Sequence, residues 1–210
     1  MESYLRKLIG KRRKSADRRQ FLLDMMPEGA VCAEIGVWKG GFSERILATT
    51  QPALLYLIDP WRFQSAYPDR MYGGKVAANQ AAMDAIHDDV AARLGVLRNV
   101  RIIRAFAREA AAHLPDESLD WVFIDGNHYY EHVREDLDIF ARKLKPGGYV
   151  TGDDYDWEPA LDFPVKRAVT EFVAAGRAEP VLVKNGQFIL RKETRQPALT
   201  GQSPNYGAIL

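Results

Sequence analysis

The chain has 210 residues, 47% hydrophobic and 27% charged, with a formal net charge of +1. That is enough apolar material for one sizeable core, near the upper edge of single-domain size. It contains no run of eighteen apolar residues, and its N-terminus, MESYLRKLIGKRRKSADRRQ, lacks the apolar stretch and cleavage site of a secretory signal, which argues against a membrane span and for a cytoplasmic protein.

In chain order, residues 1–20 form a basic segment. Eight Lys or Arg stand in its first 19 positions against Glu2 and Asp17, leaving the remainder at about −5. Tyr4, Leu5, Leu8 and Ile9 give this segment a weak apolar stripe, as a solvated surface helix would have. The main domain is expected over 21–192, and 193–210 reads as a loose tail of turn formers.

Between these ends, short β-rich runs alternate with helical patterns. VCAEIG, LLYLID, VRIIRA, LDWVFID and YVTGDD are near-continuous apolar runs, as strands covered on both faces should be. Cys32, the sole cysteine, reads as a small core residue of the first. Helices are predicted over Val76–Leu94, from His128 to the Gly147-Gly148 pair, and around Val165–Val173. PVLVKNGQFILRK is two further β-rich runs joined at Asn185-Gly186, a strong hairpin signal. The expected fold is therefore α/β: a doubly wound, mostly parallel seven-stranded sheet with helices on both faces, closed by an antiparallel C-terminal hairpin. The stretch from Pro60 to Lys75 is too aromatic and too long for a plain connector and reads as a lid.

Ligands of such sheets bind at the carboxyl ends of the strands. The first strand-to-helix turn is AEIGVWKGGFSERIL, where Gly36, Gly40 and Gly41 allow a sharp turn and a close backbone approach. Asp59 ends the second strand, from which a carboxylate can accept both hydrogen bonds of a ribose diol. There is no GxxxxGK(S/T), and Trp38 stands where GxGxxG needs its second glycine, which disfavours pyrophosphate.

The fourth strand ends at Asp125 and the fifth at Asp153-Asp154. Adjacent strands lie about 4.8 Å apart, so these three carboxylates should crowd together. At about 5 Å and an effective dielectric of about 20, each ionised pair repels by about 3 kcal/mol. A divalent cation would relieve this, and hard oxygen donors favour Mg²⁺. Alternatively, Asp153 and Asp154 cap the following turn and Asp125 caps the DGNH turn. His128, three residues after Asp125, is the best general base, although a histidine that only orders the loop would read the same way. Trp61, Tyr67, Tyr129, Tyr155 and Trp157 are candidate walls of an acceptor pocket. His87, His113 and His132 read as helical residues without partners.

The segments E-x-G-x-x-x-G-G-x-S, LIDPW, DWVFIDGNHYYE and LKPGGYVTGDDY resemble the class I S-adenosylmethionine-dependent methyltransferases. The nearest match is the small O-methyltransferase family 24, related to macrocin-type and, more distantly, catechol-type O-methyltransferases. The resemblance implies S-adenosylmethionine seated with its methionine part on Glu34 and Gly36 and its ribose on Asp59. Trp38, Gly40, Ser43 and Asp125 complete the implied cofactor set, with the adenine on backbone N–H groups or stacked on Phe106. It also implies that Asp125, Asp153 and Asp154 hold Mg²⁺, and that Asp125 and His128 serve catalysis at a small-molecule hydroxyl, that of a sugar or natural product. Three alternatives stay open: the same enzyme without a metal, a metal-dependent phosphohydrolase, which lacks its DxDx strand here, and a non-catalytic module using the basic segment on RNA or a membrane. The enzyme reading implies no nucleic-acid partner and is compatible with a homo-oligomer.

Overall fold

A computed structural model describes residues 18–193. The rest of the basic segment, with its apolar stripe, and the C-terminal tail beyond Glu193 lie outside the described residues. Seven strands form one sheet: β1 (Val31–Ile35), β2 (Leu54–Ile58), β3 (Val100–Ile103), β4 (Leu119–Ile124), β5 (Leu144–Gly152), β6 (Glu179–Lys184) and β7 (Gln187–Arg191), in the order β3-β2-β1-β4-β5-β7-β6. The first five run parallel and β7 lies antiparallel between β5 and β6, as expected. Asn185 (φ 54°) and Gly186 (φ 74°) both adopt the left-handed conformation that a tight two-residue hairpin requires.

The register decides where function can sit. Ile35 pairs with Ile58 and Ile124, Ile58 with Ile103, and Ile124 with Gly152. All five parallel strands therefore end level. The next residues, Gly36, Asp59, Arg104, Asp125 and Asp153, stand side by side on one rim, and the connections diverge between β1 and β4, where such sheets open a crevice.

Side chains alternate across each strand and split the core into two layers. Trp121 and Phe123 of β4 pack toward α1 (Gln20–Met25), α2 (Gly41–Thr50) and α3 (Gln80–Leu94). Val122 and Ile124 pack toward α4 (Ala107–Ala111), α5 (Tyr130–Lys143) and α6 (Pro164–Ala174). The predicted stripe Val133, Leu137 and Phe140 is buried. Among the described residues no helix is long and apolar enough to cross a membrane.

Three boundaries differ from expectation. α5 ends at Lys143, not at the glycines, because Pro146 biases its predecessor away from helix and Leu144 already pairs with Leu119. α3 begins at Gln80 rather than Val76, since the Asn79 side chain accepts a hydrogen bond from the Ala82 N–H (3.0 Å) and caps it there. His113 lies in the turn after α4, outside any helix. The 60–75 stretch is pinned at its root by the fully buried Trp61, whose indole N–H donates to the Trp38 carbonyl (2.9 Å), and it ends in one π-helical turn, Met71–Lys75.

Gly36 has φ +89°, and a Cβ there would lie 2.1 Å from the Asp125 carbonyl oxygen; Gly176 has φ +66° with open space around it. Gly36→Ala is expected to lose 3 kcal/mol or more of unfolding free energy against about 1 kcal/mol for Gly176→Ala, measured by urea titration. Equal losses would show that β1 and β4 are not held this closely.

Candidate functional site

A cavity of about 880 Å³ opens on the rim. At its inner end, Glu34 of β1 is 1% exposed and accepts a short hydrogen bond from the Ser43 hydroxyl. Burial raises its pKa to about 8; the Ser43 bond opposes the rise and the nearby Asp125 charge adds to it. Asp59 is the organiser of the glycine turn. Its Oδ2 accepts from the N–H groups of Val37 (3.0 Å) and Trp38 (2.9 Å), and its Oδ1 from that of Trp61 (2.7 Å). Burial raises its pKa, and these three amides counter the rise. A carboxylate has about four acceptor positions, so Oδ1 keeps one for a ligand hydroxyl.

At the outer end, Asp125, His128 and Asp154 converge: one donor atom from each lies within 4.8 Å of the others. His128 Nε2 is 3.3 Å from Asp125 Oδ1, and Nδ1 is 2.9 Å from Asp154 Oδ2. Burial works to lower the imidazole pKa, but hydrogen bonds to the two carboxylates outweigh it and push it up to about 9. The Asp154 carboxyl is correspondingly lowered by the His128 bond. Arg70 Nη2 also lies 2.9 Å from His128 Nδ1. Two donors cannot share that nitrogen; the flanking carboxylates favour the doubly protonated ring, with Arg70 as a neighbouring charge stacked on Trp157 (4.9 Å).

Asp153 is turned away from this group. Its carboxylate pairs with Arg18 (2.7 Å) and more loosely with Arg19 (3.6 Å), and it caps the Asp154 N–H (2.8 Å). Burial and the Asp125 charge raise its pKa. Arg19 also reaches Asp125 (3.3 Å). The expected trio of carboxylates is thus at the expected rim, but the tightest grouping exchanges Asp153 for His128.

The other predicted site residues divide cleanly. Gly36, Trp38 and Phe106 line the cavity; Gly40 and Ser43 stand behind it, Gly40 against Leu94 and Ser43 fully buried. Of the five candidate aromatics only Trp157 lines the cavity; Trp61 is buried, Tyr67 stacks on Tyr129 (5.6 Å), and Tyr155 packs on Phe188 (6.4 Å). Two of the histidines expected to lack partners have them: His132 lines the cavity with Nε2 3.3 Å from the Tyr67 hydroxyl, and the His87 ring meets Trp61 edge-on (5.1 Å). Sequence reasoning missed Arg18, Arg19 and Arg70. The only signal was charge balance, since clustered acids need cations and the chain's own basic segment can supply them.

The cavity lies at the switch point of a parallel α/β sheet, the place where such folds bind their ligands, with acids at the ends of β1, β2, β4 and β5. A family model described as a methyltransferase domain matches residues 33–155, more than half of the chain, and the chain belongs to that family. The uncharacterized protein R132 of Acanthamoeba polyphaga mimivirus is 31% identical over 90 residues, 39% of this chain and 40% of that protein, so the match spans well under half of that relative. Among solved structures, cofactor-bound Rv0187 from MTB superposes with a TM-score of 0.63 at 12% identity, covering 92% of this chain and 89% of that one. A putative S-adenosyl-L-methionine-dependent methyltransferase of Methanococcus maripaludis gives 0.59 at 14%, over 94% and 89%. Fibrillarin of Aeropyrum pernix, in complex with S-adenosyl-L-methionine, gives 0.53 at 17%, over 79% and 66%. At these identities the likeness is one of fold.

Glu34 carries a pH signature. Its folded pKa of about 8 lies above the ordinary 4.5, so the folded state binds the extra proton between those values. Glu34's contribution is therefore fully present below pH 4.5 and is lost as pH rises through about 8, a swing on the order of several kcal/mol. Urea unfolding at pH 5.5 and 8.5 should show a smaller pH-dependent loss in Glu34→Gln than in the parent; an unchanged slope would contradict the assignment.

Proposed function

We propose that the enzyme transfers the methyl group of S-adenosylmethionine to a hydroxyl oxygen of a small molecule, a sugar or natural product. The observation that carries this reading is the placement of one acid–base cluster, Asp125, His128 and Asp154, at the outer end of the same cavity whose inner end presents Glu34, Gly36 and Asp59. The sulfonium methyl would face that cluster, with the ribose on the remaining acceptor position of Asp59 and the methionine portion against Glu34 and Gly36.

Transfer is an in-line displacement: an O–CH₃ bond forms, the S–CH₃ bond breaks, and the hydroxyl proton must leave. His128 accepts that proton, oriented by Asp125 and Asp154. At pH 7 the two carboxylates keep the ring protonated, so a further positive charge is needed to free it as a base. Asp125 and Asp154, whose carboxylate oxygens converge, fit a hard cation and would hold Mg²⁺, which when bound supplies acidification of the acceptor hydroxyl; Asp153, paired with Arg18, stands outside this group. A second reading, without the metal, is favoured by the guanidinium groups of Arg18, Arg19 and Arg70, which already offset part of the acid charge in a cation's place; the ring then serves as base only as pH rises toward about 9.

Dialysis against EDTA followed by methyl-transfer assays on a panel of hydroxylated sugars and phenols separates the two. Loss of turnover that Mg²⁺ restores supports the metal; full turnover afterwards assigns the charge to the arginines. Within either, Asp154→Asn should lower kcat by about 100-fold and change affinity for S-adenosylhomocysteine by no more than about threefold, whereas Asp59→Ala should weaken that affinity by about tenfold or more. The opposite pattern would refute this division of roles, and methylation of nitrogen or carbon acceptors alone would refute the hydroxyl.

A further inference from the structure

Cations on two sides of the cavity are spent on the chain's own acids. Arg18 and Arg19 pair with Asp153 and Asp125, and Arg108 pairs with Glu135. Those of the 60–75 segment are not. Arg62, Arg70 and Lys75 line the cavity, and none of them forms an ion pair with a described residue. The segment's own acid, Asp69, is exposed.

Arg70 is the member of this group that the fold holds in place. Its N–H donates to the Tyr67 carbonyl (2.9 Å), and its carbonyl accepts from the N–H groups of Gly73 (3.0 Å) and Lys75 (3.2 Å). Tyr67 in turn stacks on Tyr129, which docks the segment on the loop after β4. Trp157 covers one face of the half-buried guanidinium, leaving its N–H edge to be satisfied. Among the described residues that edge finds no acceptor. Nη2 lies 2.9 Å from His128 Nδ1, but that nitrogen is already engaged by Asp154 Oδ2 at 2.9 Å and has no lone pair to offer. Burial raises the pKa of the neighbouring Tyr72 phenol, and the Arg70 charge counters the rise. The Tyr72 hydroxyl is shut off from solvent and has no hydrogen-bond partner among the described residues. Two donors thus stand together beside the acid–base cluster with nothing of the chain's own to accept from them, and polar groups left so are costly.

We infer that Arg70 selects the acceptor by its charge: the molecule methylated carries a carboxylate as well as a hydroxyl, as a sugar acid or a phenolic acid does, and the carboxylate lies against the Arg70 edge and the Tyr72 hydroxyl. The inference deepens the hydroxyl reading above and rests on it. A carboxylate is planar and matches a guanidinium edge with two parallel hydrogen bonds. A single negative charge also suits this neighbourhood, because a dianionic phosphate would meet Asp125 and Asp154 with about twice the repulsion. Arg62 and Lys75, on the same wall, add a positive field that draws an acid in.

The test measures calorimetric affinities of the full chain, saturated with S-adenosyl-L-homocysteine, for two matched pairs: 4-hydroxybenzoate with 4-hydroxybenzamide, and glucuronate with glucuronamide. The parent should bind the acid of at least one pair about 30-fold or more tightly than its amide, the difference a charge-assisted bidentate contact makes. Arg70→Gln should reduce that ratio to about threefold or less, Arg70→Lys should keep part of it, and Tyr72→Phe should lower it by about threefold. Each ratio is taken within one protein, so a change in the behaviour of His128 cancels from it. Thermal unfolding monitors folding, and the Lys and Phe variants carry the test if Gln does not fold. Failure of the parent to prefer the acid in either pair, absence of binding included, or the parental ratio retained in Arg70→Gln, would overturn the assignment and leave the hydroxyl reading in place. Tighter binding of phenyl phosphate than of benzoate to the parent would overturn the carboxylate. With S-adenosylmethionine in place of the product, a methyl ester of the bound acid instead of a methyl ether would overturn the hydroxyl reading while leaving the Arg70 contact standing.

Discussion

The structure is organised by a conflict of charge at the ends of β4 and β5. Parallel pairing in register leaves Asp125 and Asp153 on adjacent strands, with Asp154 next in sequence, and ionised carboxylates at that spacing repel by about 3 kcal/mol per pair at an effective dielectric of about 20. The chain answers with cations from three separate places. Arg18 and Arg19 precede the first described helix, Arg70 belongs to the long segment after β2, and His128 follows Asp125 in its own loop. Each contact ties a distant part of the chain to the rim. Arg18 also donates to the Asn185 carbonyl (3.0 Å), so the entry to the domain is fastened to the C-terminal hairpin as well as to the acids.

The inner half of the site is held in a different way. Asp59 spends three acceptor positions on backbone amides of the loops after β1 and β2, and this fixes Trp38 at φ 52° and Trp61 at φ 39°, conformations that bulky residues rarely adopt. Charge-assisted bonds to a buried carboxylate are about twice as strong as neutral ones, enough to offset that strain. The glycine turn is thus set before any ligand arrives, and the indole of Trp38 occupies ground that a dinucleotide fold keeps open for pyrophosphate.

How much of this could be read from the residues depended on the kind of signal. Strands buried on both faces must be apolar throughout, so β1 to β5 were legible as runs, and Asn185-Gly186 announced its hairpin because few other pairs accept two positive φ angles. The rim carboxylates followed from strand order alone. Their partners did not: pairing of Arg18 with Asp153 joins residues far apart in sequence, and nothing local marks it. The choice of His128 over Asp153 in the tight group depends on the left-handed backbone of Asp154 (φ 55°), which redirects its side chain. Asp136, a buried acid that lines the cavity, stands three residues after Val133 and four before Phe140, both buried. Helical geometry therefore places it beside the apolar stripe, and that spacing was the available signal.

The central claim is that the ends of β1 to β4 form one continuous donor site. Hydrogen-exchange mass spectrometry with and without S-adenosyl-L-homocysteine tests it most directly. The account predicts slowed exchange together in the loops at 36–41, 59–62, 104–108 and 125–128, with little change in the β6–β7 hairpin. Protection confined to one of these loops, or located on the opposite edge of the sheet, would contradict it.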